Sequence, residues 1–138
     1  MAKPFCHERR VEFRDTDAAG IVHFSVFFNY MEEAEHAFLR KLGLSVFLLD
    51  DETAISFPRV AARCDYRTPI RFGDLITVEV AIEKIGRSSV TYRFLFHRDP
   101  AEIAEGFVTA ACCCVDEVGA PRAVPIPEKV RTVLEEAK

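Results

Sequence analysis

Val26-Phe27-Phe28-Asn29-Tyr30-Met31-Glu32-Glu33-Ala34-Glu35-His36-Ala37-Phe38-Leu39-Arg40-Lys41-Leu42, followed by Gly43, reads as one long helix in a chain otherwise patterned for strands. Phe27, Met31, Ala34 and Phe38 recur at i, i+4, i+7 and i+11, the spacing of a single helical stripe. Asn29, Glu32, Glu33, His36 and Arg40 fill much of the opposite side. Gly43 is placed to stop the helix, and Arg40 and Lys41 suit the negative end of its dipole. Ser25 is the expected N-cap.

Around this helix the apolar residues alternate with period 2. Val11 and Phe13 alternate with Arg10, Glu12 and Arg14, which predicts a short first strand. A second places Val60, Ala62, Cys64 and Tyr66 on one face and Arg59, Arg63, Asp65 and Arg67 on the other, an outer face or subunit contact. Ile76, Val78, Val80 and Ile82 predict a third, and Val90, Tyr92, Phe94 and Phe96 a fourth. A fifth runs from about Glu102 to Val115. Turn residues at Phe72-Gly73-Asp74, Gly86-Arg87 and Asp99-Pro100 keep the connections short, which favours an antiparallel sheet. From Val108 to Val115 the last strand is apolar on both faces, Thr109 excepted. One helix covers one side of a sheet, so this stretch predicts a second subunit on the other. A short second helix is expected from Pro127, carrying Val130, Val133 and Leu134 inward. The reading is a single α+β domain over 1–138.

Composition narrows the function classes. The formal net charge is −4, with no basic tail, which argues against a nucleic-acid partner. No run approaches the ~18 apolar residues that span a bilayer, and the first residues, MAKPFCHERR, lack the apolar core of a secretory signal. The five cysteines (Cys6, Cys64 and the run Cys112-Cys113-Cys114) fit neither a disulfide framework nor zinc-ligand spacing. They read as packing residues in a reducing cytoplasm.

Chemistry concentrates in Arg14-Asp15-Thr16-Asp17-Ala18-Ala19-Gly20-Ile21-Val22-His23-Phe24, which joins the first strand to the helix. A calcium loop fails here, because Ala19 and Val26 stand where oxygen ligands are required. Asp15 and Asp17 read either as solvated turn groups or as an acid poised beside the helix start. Free N–H groups there can stabilise a developing oxyanion. A carboxylate beside them can attack a carbonyl or activate water. For a thioester this suffices without a metal, and no His₂-carboxylate spacing suggests one.

Asp15-Thr16-Asp17-Ala18-Ala19-Gly20-Ile21-Val22-His23-Phe24 resembles the opening motif of the 4-hydroxybenzoyl-CoA thioesterase family, a hot-dog-fold group. Supporting segments are Glu32-Glu33-Ala34, Arg67-Thr68-Pro69-Ile70-Arg71-Phe72-Gly73-Asp74 and Gly86-Arg87-Ser88-Ser89. The resemblance implies a five-stranded antiparallel sheet wrapped around the long helix, in a homodimer that pairs into a homotetramer. It implies an acyl-CoA substrate, CoA being part of the substrate rather than a cofactor. Asp17 would be the nucleophile or general base, the backbone N–H of Phe24 would polarise the carbonyl, and Asp15 would be structural. Lys84, Arg87, Ser88 and Ser89 match the family's phosphate-holding positions. Many relatives carry a histidine where this chain has Phe24; His23 lies one place earlier, so its side chain points elsewhere. Subgroups acting on 4-hydroxybenzoyl and 1,4-dihydroxy-2-naphthoyl thioesters manage without that histidine, and His23-Phe24-Ser25-Val26-Phe27 looks closer to the second. Phe24, Phe27, Phe28 and Phe57 are the expected acyl-pocket residues. The rival functions are a hot-dog hydratase or dehydratase and a non-catalytic acyl-CoA sensor.

Overall fold

The long alternating runs of the sequence become the spine of one antiparallel sheet. In the computed structural model, which describes residues 3–115 and 119–138, the chain order is β1 (Phe5–Arg10), α1 (Val26–Lys41), β2 (Phe47–Asp50), β3 (Thr53–Ser56), β4 (Arg59–Tyr66), β5 (Leu75–Ile85), β6 (Ser89–Arg98), β7 (Ala101–Ala111), β8 (Cys113–Val115), β9 (Pro121–Ala123) and α2 (Glu128–Ala137). The main sheet has the order β1-β5-β6-β7-β4, so β1 and β4 are its edges. Ile76, Val78, Val80 and Ile82 on β5 and Val90, Tyr92, Phe94 and Phe96 on β6 are all buried. The stripe predicted for α1, Phe27, Met31, Ala34 and Phe38, is buried with them. Each large apolar side chain taken fully out of water there contributes about 1.5–3 kcal/mol. Gly43 ends the helix at φ +77°, a conformation that costs a β-carbon-bearing residue energy. Val130 and Leu134 of α2 are buried and Val133 is half-buried.

Four expectations are corrected. The first strand is Phe5–Arg10 rather than the segment around Val11 and Phe13. At Glu12 the chain turns into a 3₁₀ turn over Phe13–Asp15, held by reciprocal bonds between Glu12 and Asp15. The fifth strand breaks at Cys112, which lies between β7 and β8; its N–H still donates to the Ser88 carbonyl at 2.7 Å, and its carbonyl accepts from Val124 N–H at 2.9 Å. Beyond the break, β8 joins a second sheet of order β2-β3-β8-β9, which the short, weakly alternating runs at 47–56 did not announce. Cys112, Cys113 and Cys114 are therefore buried within one chain, and their two-sided apolarity does not by itself require a partner. Finally, Ser25 makes no side-chain cap. Its Oγ lies 2.8 Å from His23 Nδ1, and the helix start is instead closed by the Val26 N–H donating to His23 O at 3.0 Å.

Candidate active site

The segment before α1 folds back on itself. Gly20 N–H donates to Asp17 O and Asp17 N–H to Ile21 O, both at 2.9 Å, and Thr16 bridges Val22. Gly20 takes φ +80° at the bend, which is the physical reason for glycine there. Val22 N–H donates to Ile70 O at 2.9 Å, tying the turn to the β4–β5 loop.

The two aspartates separate cleanly. Asp15 is 6% exposed. It accepts from Tyr30 OH at 2.7 Å and from Glu12 N–H at 2.9 Å, with the Arg9 guanidinium 3.7 Å away. Burial first, and then the Asp15 carboxylate, push the Tyr30 phenol well above its ordinary value, so Tyr30 stays a neutral donor. Asp17 lies half-buried on the wall of a cleft of about 410 Å³. Its Oδ1 accepts the Ala19 N–H at 2.9 Å, and among the described residues Oδ2 has no hydrogen-bond partner.

Phe24, 64% exposed, and Phe27, buried, line the same cleft as Asp17. The Phe24 N–H, just ahead of the helix, donates to no protein group among the described residues. Its carbonyl accepts from Tyr66 OH at 2.7 Å, and Tyr66 packs edge-on to Phe27 at 4.9 Å. Ile21, Val22 and the run Tyr66-Arg67-Thr68-Pro69-Ile70 complete the wall. The sequence reading missed them as lining residues: it placed Tyr66 on one strand face and Arg67 on the other, and took Arg67–Asp74 only as support for the resemblance and as a turn. The signal available was the apolar Pro69-Ile70 beside Thr68, ahead of a glycine turn.

Other expected site residues lie elsewhere in the chain. Phe28 lines a separate groove of about 180 Å³ with Met31, Glu35, Arg59 and Ala62. Phe57 is buried beside Leu39, Val46 and Tyr92. Lys84, Arg87, Ser88 and Ser89 form the β5–β6 hairpin tip, whose Gly86 and Arg87 carbonyls accept from Arg131. α1 runs along β6 from Phe27 against Phe96 to Phe38 against Tyr92, so the tip lies at the end of the sheet away from Asp17. The His23 ring, bonded to Ser25, is stacked on Phe24 at 4.6 Å. Among the described residues no group of His, Cys, Asp or Glu is arranged to hold a metal, and no helix is long and apolar enough to cross a membrane.

A second buried carboxylate sits further along α1. Glu35, 2% exposed, is ion-paired to Arg59 of β4. Burial is the main reason its pKa rises from 4.5 to about 7, opposed by Arg59 and aided by Glu32. A raised folded value means that its stabilising contribution is complete below pH 4.5 and is lost as pH rises through 7. Wild type is therefore expected to lose up to about 3 kcal/mol between pH 5 and 8 relative to Glu35→Gln, read from melts of both proteins. Parallel pH profiles would contradict the assignment.

A helix laid on an antiparallel sheet, with Asp17 and Phe24 lining one cleft at the helix start, defines a hot-dog domain with a site suited to acyl chemistry. Residues 11–134 match the model of the thioesterase-like superfamily, and the chain belongs to that family. It is 34% identical over 105 residues to the 1,4-dihydroxy-2-naphthoyl-CoA hydrolase of Prochlorococcus marinus NATL2A, covering 71% of this chain and 68% of that protein. The enzyme of the same name from Synechococcus elongatus is 29% identical over 131 residues, 93% of each chain. The solved structure of a gentisyl-coenzyme A thioesterase superposes with a TM-score of 0.80 at 30% identity, covering 94% of this chain and 99% of that one.

Proposed function

We propose that this protein hydrolyses acyl-CoA thioesters, acting on an aromatic or medium-sized acyl group without a metal. The observation that carries the reading is that Asp17, with Oδ2 unpartnered, and Phe24, with its backbone N–H unpartnered, line one cleft among the described residues. The thioester carbonyl oxygen accepts from the Phe24 N–H, which stabilises the negative charge that grows on it. Asp17 then attacks the carbonyl carbon, or takes a proton from the water that does. The carbon–sulfur bond breaks and CoA leaves as the thiol. Where Asp17 itself attacked, a water then hydrolyses the acyl–Asp17 anhydride; where it activated water, the acyl group leaves directly as the free acid. Relatives named for naphthoyl- and gentisyl-CoA support an aromatic acyl group. The five thiols are unpaired, which fits a reducing cytoplasm.

A homodimer is the smallest assembly we propose, and pairing of dimers gives the tetramer. β4 is an open edge with Val60, Ala61, Ala62 and Tyr66 exposed. Antiparallel pairing of two copies about Cys64 sets Arg63 of each opposite Asp65 of the other, a self-complementary charge pattern. It also brings Ala62, which borders the Phe28 groove, opposite Tyr66, which borders the Asp17 cleft. Phe28 then belongs to an acyl pocket completed by the second copy, whereas Phe57 stays in the core beside Leu39, Val46 and Tyr92. Lys84, Arg87, Ser88 and Ser89 serve CoA phosphates only where another copy brings its hairpin tip to the cleft.

Release of free thiol from benzoyl-, naphthoyl- and straight-chain CoA thioesters tests the activity. The aromatic thioesters are expected to turn over fastest; no thiol from any of them would remove the reading. Phe24→Ala and Phe27→Ala are expected to change the ranking of acyl groups more than turnover on the best small one. Equal losses across the panel would return both rings to the core.

A further inference from the structure

Two exposed apolar surfaces lie toward opposite ends of the main sheet, and their charges are opposite. At the Asp17 end, Phe13 and Phe72 are 76% and 60% exposed and meet edge to face with centroids 5.9 Å apart. Arg14 follows Phe13 and Arg71 precedes Phe72; both are exposed, and among the described residues neither has a carboxylate partner. Their frame is held: Val11 N–H donates to Asp74 O at 2.8 Å and Gly73 N–H to Val11 O at 2.9 Å. Past the other end stands the β2–β3 hairpin. Phe47 and Leu49, 60% and 67% exposed, share one face of β2, an edge of the second sheet. Its turn carries Asp50, Asp51 and Glu52, none of them ion-paired among the described residues. Large rings on a firm frame and an apolar edge strand are both surfaces that proteins cover.

The topology turns the hairpin toward a second copy. β8 follows β7 after Cys112, and β3 pairs with β8 as β4 pairs with β7. The Ala111 N–H, donating to Pro58 O at 2.9 Å, keeps the two pairs in line. β3, and β2 outside it, therefore lie on the side of β4, the open edge on which the proposed dimer forms. In that dimer the two β4 strands run antiparallel. The chain ahead of β4 in one copy, from β2 to Phe57, thus passes the chain after β4 in the other, from Arg67 to Phe72. Ile70, within that second stretch, is on the wall of the Asp17 cleft.

We propose that the β2–β3 hairpin of one copy seats on the Phe13–Phe72 patch of the other and closes the outer side of its Asp17 cleft. Phe47 and Leu49 meet the two rings, and the acidic turn meets Arg14 and Arg71. Two-fold symmetry makes the contact twice. It rests on the β4 dimer and adds to it a charge-matched latch over each cleft.

Reversing the charges on either side tests the latch. Arg14→Glu/Arg71→Glu and Asp51→Asn/Glu52→Lys are made separately and together; Asn is chosen because residue 51 takes φ +57°. Each pair alone is expected to weaken the dimer at least about tenfold in sedimentation equilibrium, and the combination to return it to within about fivefold of wild type. KM for benzoyl-CoA should rise and recover in step. No weakening by either pair, or weakening that accumulates when they are combined, would overturn the latch. So would a KM rise that the hairpin substitutions do not repair, since arginines that held only ligand gain nothing from them. A disulfide between the two Cys64 side chains, driven by copper phenanthroline, reports the β4 pairing by itself. Wild type that crosslinks while the charge variants change nothing loses the latch alone. Wild type that does not crosslink loses the dimer and the latch with it.

Discussion

Asp17→Asn is expected to lower kcat at least ~100-fold, about 2.7 kcal/mol of barrier, with KM and the melting temperature close to wild type. The amide is nearly isosteric and its oxygen still accepts the Ala19 N–H, so the turn that presents it survives. What is lost is the negative, unpartnered Oδ2, the atom that in the proposed mechanism attacks or takes the proton. Steady-state kinetics on an aromatic acyl-CoA and a thermal melt measure both halves. Near-wild-type turnover would remove Asp17 from the mechanism.

Asp15→Ala is expected to do the reverse: a large loss of stability, about 2–4 kcal/mol, seen as a drop of roughly 10 °C in the melting midpoint. Removing this carboxylate leaves the buried Tyr30 hydroxyl and the Glu12 N–H without their acceptor and takes the nearby anion from Arg9. Activity should fall with the folded fraction and be recovered in part at low temperature, where Asp17→Asn recovers nothing. Unchanged melting would show that the Asp15–Tyr30 bond carries no stability. The proposed mechanism makes the same residue type structural at Asp15, which is buried and satisfied, and chemical at Asp17, which is half-buried.

This division was only partly legible in the sequence. The helical stripe and the alternation on β5 and β6 were clear because their apolar faces meet one core, where period and burial coincide. Val11 and Phe13 misled because alternation cannot tell a strand from a chain in which Val11 is buried ahead of a 3₁₀ turn whose first residue, Phe13, is exposed. The second sheet was missed because β2, β3, β8 and β9 are three or four residues long, too short to show a period. At the site, Asp17, Phe24 and Phe27 were reached by the motif and do share a cleft. Tyr66 and Ile70 come from the far side of the chain, and no local pattern announces a wall built by tertiary approach. Phe28 and Phe57 were grouped with Asp17 by proximity in sequence and by residue type, whereas helix geometry turns Phe28 toward β4.

The central claim is that one carboxylate performs chemistry on a thioester that the cleft binds without it. Calorimetric titration of benzoyl-CoA into Asp17→Asn, with free thiol followed in the same sample, measures that directly. The account predicts saturable binding with a Kd near the wild-type KM, and intact thioester recovered at the end. Thiol release at the wild-type rate would contradict it.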